Sequence, residues 1–248
     1  MTMIISTATP RRVLVTGASR GIGRATMRHL ANAGYQVVGL ARHVPEDAGP
    51  NEQFVPCDLM DLEATRRTIE GLLRDRPFYG LVNNAAIAHT TSLADVTVSE
   101  MNEAMTVNVN AALICLQALI PGMKEAGGGR VVNISSRAAL GKVNRTAYSA
   151  SKAALIGASR TWALELAPHN ITVNVIAPGP VATEMFKKAS PPEAAATKAL
   201  LAAVPLQRVS DPEELAFVIG FFLAPLAGYI TGQTLHVDGG LTISATRL

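Results

Sequence analysis

The chain has 248 residues, 48% of them apolar and 17% charged, and a formal net charge of +3. That composition excludes a disordered chain, and basic residues scattered in runs no longer than Arg-Arg give no footprint for nucleic acid. Cys57 and Cys115 suit a reducing compartment, and neither they nor the five histidines form a ligand cluster, so no metal site is expected.

In chain order, residues 1–10 read as a loosely held extension. Val13-Leu14-Val15 is a short apolar run and a buried strand. Gly21 to Ala33 has helical periodicity and stops at Gly34. Gln36 to Ala41 and Gln53 to Cys57 are further strands. Asp61 to Arg74 is an amphipathic helix with Asp61 as N-cap. Leu81-Val82-Asn83 is a fourth strand. A long helical stretch covers Ser99 to Ala126, with an interruption expected near Pro121. Arg130 to Ser135 is a fifth strand, and Thr146 to Leu166 a long helix. Ile171 to Ile176 is a sixth strand, Pro212 to Leu223 a helix, and Thr234 to Val237 a last strand. No apolar run of about 18 residues is evident, so no membrane span is expected. Nor is there a secretory signal, so the expected location is cytoplasmic.

Short apolar strands alternating with helices imply right-handed βαβ units. The expected fold is α/β: one doubly wound, mostly parallel seven-stranded sheet with helices on both faces. No linker divides residues 1–248, so a single domain is expected. Residues 184–209, rich in Ala, Pro and Lys, follow the sixth strand. They read as a substrate lid, because ligands bind beyond the carboxyl ends of such strands.

Thr16-Gly17-Ala18-Ser19-Arg20-Gly21-Ile22-Gly23 follows the first strand and opens a helix. Glycines there let the backbone approach a pyrophosphate, while the helix N-terminus offers free N–H groups. The second strand ends Leu40-Ala41-Arg42, with no acid to accept from a ribose 2′-hydroxyl. Arg42, with Arg20 in the turn, suits a 2′-phosphate instead, so NADP(H) is the expected cofactor and NAD(H) the second choice. About 130 residues later comes Tyr148-Ser149-Ala150-Ser151-Lys152. A Tyr and a Lys four apart share a helix face, and an ammonium beside a phenol favours the phenolate. Proton handling and dinucleotide holding together suggest carbonyl/alcohol chemistry.

Thr16–Gly23, Asn83-Asn84-Ala85-Ala86, Tyr148–Lys152 and Pro178-Gly179 together resemble the short-chain dehydrogenase/reductase family over residues 11 to 241. The look is nearest to its 3-oxoacyl-ACP reductase and polyol dehydrogenase-like members. The resemblance implies a Rossmann-type domain, a homotetramer, and reduction of a small-molecule or acyl-carrier-bound carbonyl, including 3-oxoacyl thioesters. It implies Tyr148 as acid/base, Lys152 as the group that lowers its pKa, Ser136 at the substrate oxygen and Asn108 holding a water. For the cofactor it implies Gly17, Ser19, Arg20, Gly21, Ile22, Gly23, Arg42, Asp58, Leu59, Asn83, Ala85, Pro178, Gly179, Val181 and Thr183, with Tyr148 and Lys152.

Two positions depart from the family pattern. Ala86 stands where glycine is common and requires a negative φ. Ser135 and Ser136 lie thirteen and twelve positions before Tyr148; strand alternation favours Ser136 as the one facing the site. Arg137, Lys142 and Arg145 hint at an anionic or carrier-bound substrate, and His89 and Met185 are candidates for the substrate mouth. The competing readings are an NAD-dependent alcohol or polyol dehydrogenase of the same family, and a non-catalytic NADP(H)-sensing protein.

Overall fold

The structure, a computed structural model, describes residues 10–191 and 193–244. All but the last residue of the N-terminal extension read from the sequence therefore lie outside the described residues.

Seven strands form one sheet in the order β3-β2-β1-β4-β5-β6-β7: β1 Arg12–Thr16, β2 Gln36–Ala41, β3 Glu52–Pro56, β4 Gly80–Asn83, β5 Gly129–Ile134, β6 Ile171–Pro178 and β7 Thr234–Val237. Every neighbouring pair is parallel. Strand order reverses between β1 and β4, which opens a crevice at their carboxyl ends.

Alternation along each strand sorts its side chains to the two faces. Leu14, Leu81, Val131 and Val173 belong to one core. It is covered by α2 (Leu62–Leu73), α4 (Ala111–Glu125) and α5 (Thr146–Leu166). Val13, Val15, Val82, Val132 and Ile176 belong to the other. That face is covered by α1 (Gly21–Asn32) and α8 (Pro212–Leu223). Burial on both faces is why the strands read as continuous apolar runs.

Helix ends follow local chemistry. Asp61 caps α2, its carboxylate accepting from Ala64 N at 2.8 Å. Thr97 and Glu100 form a capping box at the start of α3 (Val98–Met105). Gly34 takes φ +84° just beyond α1, a conformation glycine enters without strain.

The long central helix departs from expectation. Its irregularity is a π turn at Thr106–Asn110, between α3 and α4, and Pro121 sits inside an uninterrupted α4. Together these segments form a 28-residue helix, Val98–Glu125, which by length and composition alone could cross a membrane, against the expectation that no such run exists. In this fold the helix is a core element, burying Ala104, Val107, Ala111, Cys115, Leu116 and Leu119. The strand read over 171–176 continues through Ala177-Pro178. Residues 184–209 hold two short helices, α6 Glu184–Ala189 and α7 Ala195–Ala203.

Candidate active site

A cavity of about 690 Å³ lies along the carboxyl ends of the strands and runs from the glycine turn to Tyr148. The turn after β1 is fixed by side chains the sequence reading left out. The Thr16 hydroxyl accepts from Asn84 N and Ala85 N, at 3.0 and 3.1 Å, and the Asn84 amide donates to the Thr16 and Gly17 carbonyls. This ties the end of β1 to the end of β4, across the crevice.

Glycine is required in this turn by space as well as by dihedral. Gly17 has φ +65°, and a Cβ at Gly23 would stand 2.2 Å from the Gly17 carbonyl oxygen. Arg20 precedes α1 without capping it through its side chain, so first-turn N–H groups stay available for an anion. Arg20 Nη1 instead reaches Glu184 at 3.4 Å, linking the turn to the start of α6.

Most of the nominated residues reach the cavity wall. Gly17, Ser19, Arg20, Gly21, Ile22, Arg42, Asp58 and Leu59 form one end. Ala85, Ser136, Tyr148, Lys152, Pro178, Gly179, Val181 and Thr183 form the rest. Three nominated residues are not on the wall. Gly23 lies behind the turn. Asn83 points to the α5 side, where its amide donates to Asn133 Oδ1 at 2.8 Å and Asn133 donates on to Ser159. Asn84 takes the wall position instead.

Asn108 is the third. Its Oδ1 accepts from Ile87 N, and its amide donates to Ile87 O and to Ser151 Oγ, all within 3.0 Å. Both amide hydrogens are thus committed to protein, and a water would need another group of this residue. The π turn aims the side chain at the β4 loop and at α5 together. Of the two mouth candidates, Met185 lines the cavity, while His89 faces Glu100 and Glu103 at 3.6 and 3.3 Å. Ala86 is not among the residues with positive φ, so its methyl group is accommodated.

Strand alternation separates the two serines. Ser135 is buried and donates to Lys152 O at 2.8 Å. Ser136, where the chain leaves β5, lines the cavity beside Tyr148. Its Oγ accepts from Ala138 N at 3.1 Å, which fixes the hydroxyl and leaves its proton free to donate.

Electrostatics here differ from the sequence expectation. Lys152 is 2% exposed, and its Nζ donates to Ile134 O at 2.7 Å. Burial lowers its pKa to about 7, so it is not a permanent cation at neutral pH. Tyr148 lies with Lys152 Nζ 5.8 Å from its ring centroid. Burial raises the phenol above its ordinary value, and the adjacent Ser136 hydroxyl and the Arg145 charge oppose that rise. Lys152 is not among the groups that oppose that rise. The fixed cation acting on Tyr148 is Arg145, at the N-cap of α5.

Residues 17–242 match the family described as enoyl-(acyl carrier protein) reductase. The chain is 36% identical over 236 residues to the 3-oxoacyl-(acyl-carrier-protein) reductase FabG of Vibrio harveyi, covering 92% of this chain and 96% of that one. Among solved structures it is similar to ligand-free aldohexose dehydrogenase from Thermoplasma acidophilum, with TM-score 0.90, 30% identity and 96% of each chain covered. It is equally similar to a protein from Beutenbergia cavernae, assigned as an NAD(P)-dependent gluconate 5-dehydrogenase and solved with NADP at low occupancy. There the TM-score is 0.90 and the identity 34%, over 94% of this chain and 97% of that one.

Proposed function

We propose, from the premise that the chain belongs to the short-chain dehydrogenase/reductase family, that Ser136, Tyr148 and Lys152 carry its NADP(H)-dependent interconversion of a carbonyl and a secondary alcohol. The observation that carries this is convergence. One cavity has the glycine turn, the free helix N-terminus and Arg42 at one end, and Ser136, Tyr148 and Lys152 at the other.

The residues present fit a dinucleotide. A Cβ at Gly21, on the cavity wall, would stand 3.0 Å from Thr183 Cγ2, so glycine there keeps open the gap between the turn and Thr183 that a side chain would fill. Asp58 and Leu59 would border the adenine, Arg42 the 2′-phosphate, and Val181 and Thr183 the carboxamide end. When bound, the cofactor supplies or takes up the hydride.

The chain's own part is position and proton handling. Ser136 donates to the substrate oxygen, where charge develops. Tyr148 gives that oxygen its proton as general acid, or takes it in the reverse direction. Lys152, whose pKa burial lowers far below the ordinary lysine range, can both hold and release a proton near neutral pH. Asn108 acts at one remove, locking α5 through Ser151.

Support for a 3-oxoacyl thioester comes from the relatives and makes such a thioester the first substrate to assay. A homotetramer is supported by apolar side chains left fully exposed at Leu226 and Tyr229, with Phe217 and Phe221 on α8 nearby in sequence. Light scattering that gives a monomer mass would remove that part of the reading.

Arg42→Ala tests the nucleotide end. Loss of a charge-assisted contact of about 1.5–3 kcal/mol should weaken NADPH binding by about tenfold or more, with NADH changed by about twofold or less. Equal loss for both nucleotides, in a fluorescence titration, would place the 2′-phosphate elsewhere.

A further inference from the structure

The substrate end of the cavity carries a charge pattern that proton handling does not use. Arg137, Lys142 and Arg145 all line it, in the stretch between Ser136 and Tyr148. Arg137 opens a 3-10 turn, Lys142 follows Gly141, and Arg145 precedes the first turn of α5. The three are close enough to feel one another. Lys142 is exposed at the cavity rim, and the partial burial of its ammonium, then the charges of Arg145 and Arg137, hold it below its ordinary range.

Among the described residues no carboxylate answers them. Arg145 Nη1 meets only the Ala88 and His89 carbonyls, at 3.4 and 3.3 Å. Among the described residues, neither Arg137 nor Lys142 has a side-chain hydrogen-bond or ion-pair partner. The carboxylates on the cavity wall are Asp58, at the nucleotide end, and Glu184, held by Arg20. Long cations on an open surface splay apart into water. Three that share one concave wall repel each other there, and an anion relieves that repulsion.

We propose that the substrate carries a carboxylate of its own, within a few bonds of the reacting carbonyl, held by Arg137, Lys142 and Arg145. The closeness follows from the site itself, since Arg145 and Tyr148 line the same cavity and the Arg145 charge acts on the Tyr148 phenol. A neutral thioester has no charge at that point, so the free oxo acid is the favoured substrate class. This deepens the oxidoreductase reading and rests on it.

The test is calorimetric titration of the purified protein, in the presence of NADP⁺, with 3-oxobutanoate and with its neutral methyl ester. The acid should bind about tenfold tighter or more. That advantage should shrink as salt is raised to about 0.5 M, and should fall to about twofold in the Arg137→Ala/Lys142→Ala double variant. Equal or tighter binding of the ester overturns the proposal. So does an acid preference that survives unchanged in the double variant, because the carboxylate then lies elsewhere, for example at Arg42. NADPH oxidation with the ester reads the oxidoreductase activity separately. Ester turnover without acid preference sinks this inference alone. Acid preference in binding, with no NADPH oxidation by either compound, sinks the reductase reading alone.

Discussion

Tyr148→Phe is expected to lower kcat/KM for carbonyl reduction by about a thousandfold, while the Kd for NADPH changes by about twofold or less. The substitution removes one hydroxyl and keeps the ring, so the packing around α5 and the bond from Lys152 Nζ to Ile134 O are retained. What is lost is the acid that Ser136 and Arg145 flank. Steady-state rates beside a cofactor titration check both halves. Turnover near that of the unaltered protein would show that another group moves the proton, and near-equal loss of cofactor binding would show that the ring serves binding instead.

Lys152→Met is expected to abolish most turnover and yet to stabilise the cofactor-free protein, by on the order of 2 kcal/mol at pH 7. An ammonium with only 2% exposure stands here with one carbonyl partner and no carboxylate. Burial brings its folded pKa down to about 7, well below the ordinary lysine value of 10.5. The sign follows from proton counting. Between these two values the unfolded chain binds more protons than the folded one, so stability rises with pH across that window. Below about pH 7 the destabilisation is fully present, and above the unfolded pKa it is gone. The thermal midpoint of the unaltered protein should therefore climb from pH 7 towards pH 10, and that climb should flatten in the variant. The Ile134 carbonyl left without its donor holds the net gain below the full cost of the buried charge. A variant less stable than the parent at pH 7, with the pH slope retained, would show that Lys152 is charged and well paired in the folded protein.

Much of this site was legible because its chemistry is local in sequence. The turn Thr16–Gly23, the pair Tyr148 and Lys152 on one helix face, and Arg42 at the end of β2 each sit where period and punctuation put them. What escaped the sequence depends on contacts across the fold. Pro121 looked like the helix breaker, yet the irregularity falls at Thr106–Asn110, where Asn108 is bound by Ile87 and Ser151. No local signal marks those partners.

The direction of the Asn83 side chain was legible as well. It shares a strand face with Leu81, which packs in the core that includes Ala163 and Leu166 of α5. Period two then sends Asn83 to the helix side and leaves Asn84 for the cavity. The electrostatic roles were the least visible. Spacing showed that Lys152 is near Tyr148, but not that burial would bring its pKa close to neutrality and leave Arg145 as the fixed cation.

The proposed hydride transfer between NADPH and a carbonyl takes place at the Ser136, Tyr148 and Lys152 end of this cavity. The direct measurement is to mix the protein with NADPH carrying deuterium at both C4 positions of the nicotinamide, and with 3-oxoacyl thioesters and free oxo acids, and to read the product by mass spectrometry. The expected result is one deuterium on the new carbinol carbon, formed by the parent protein and not by Tyr148→Phe. NADPH that binds tightly but returns no labelled alcohol from any of these carbonyls would contradict the account and leave a nucleotide-binding protein without catalysis.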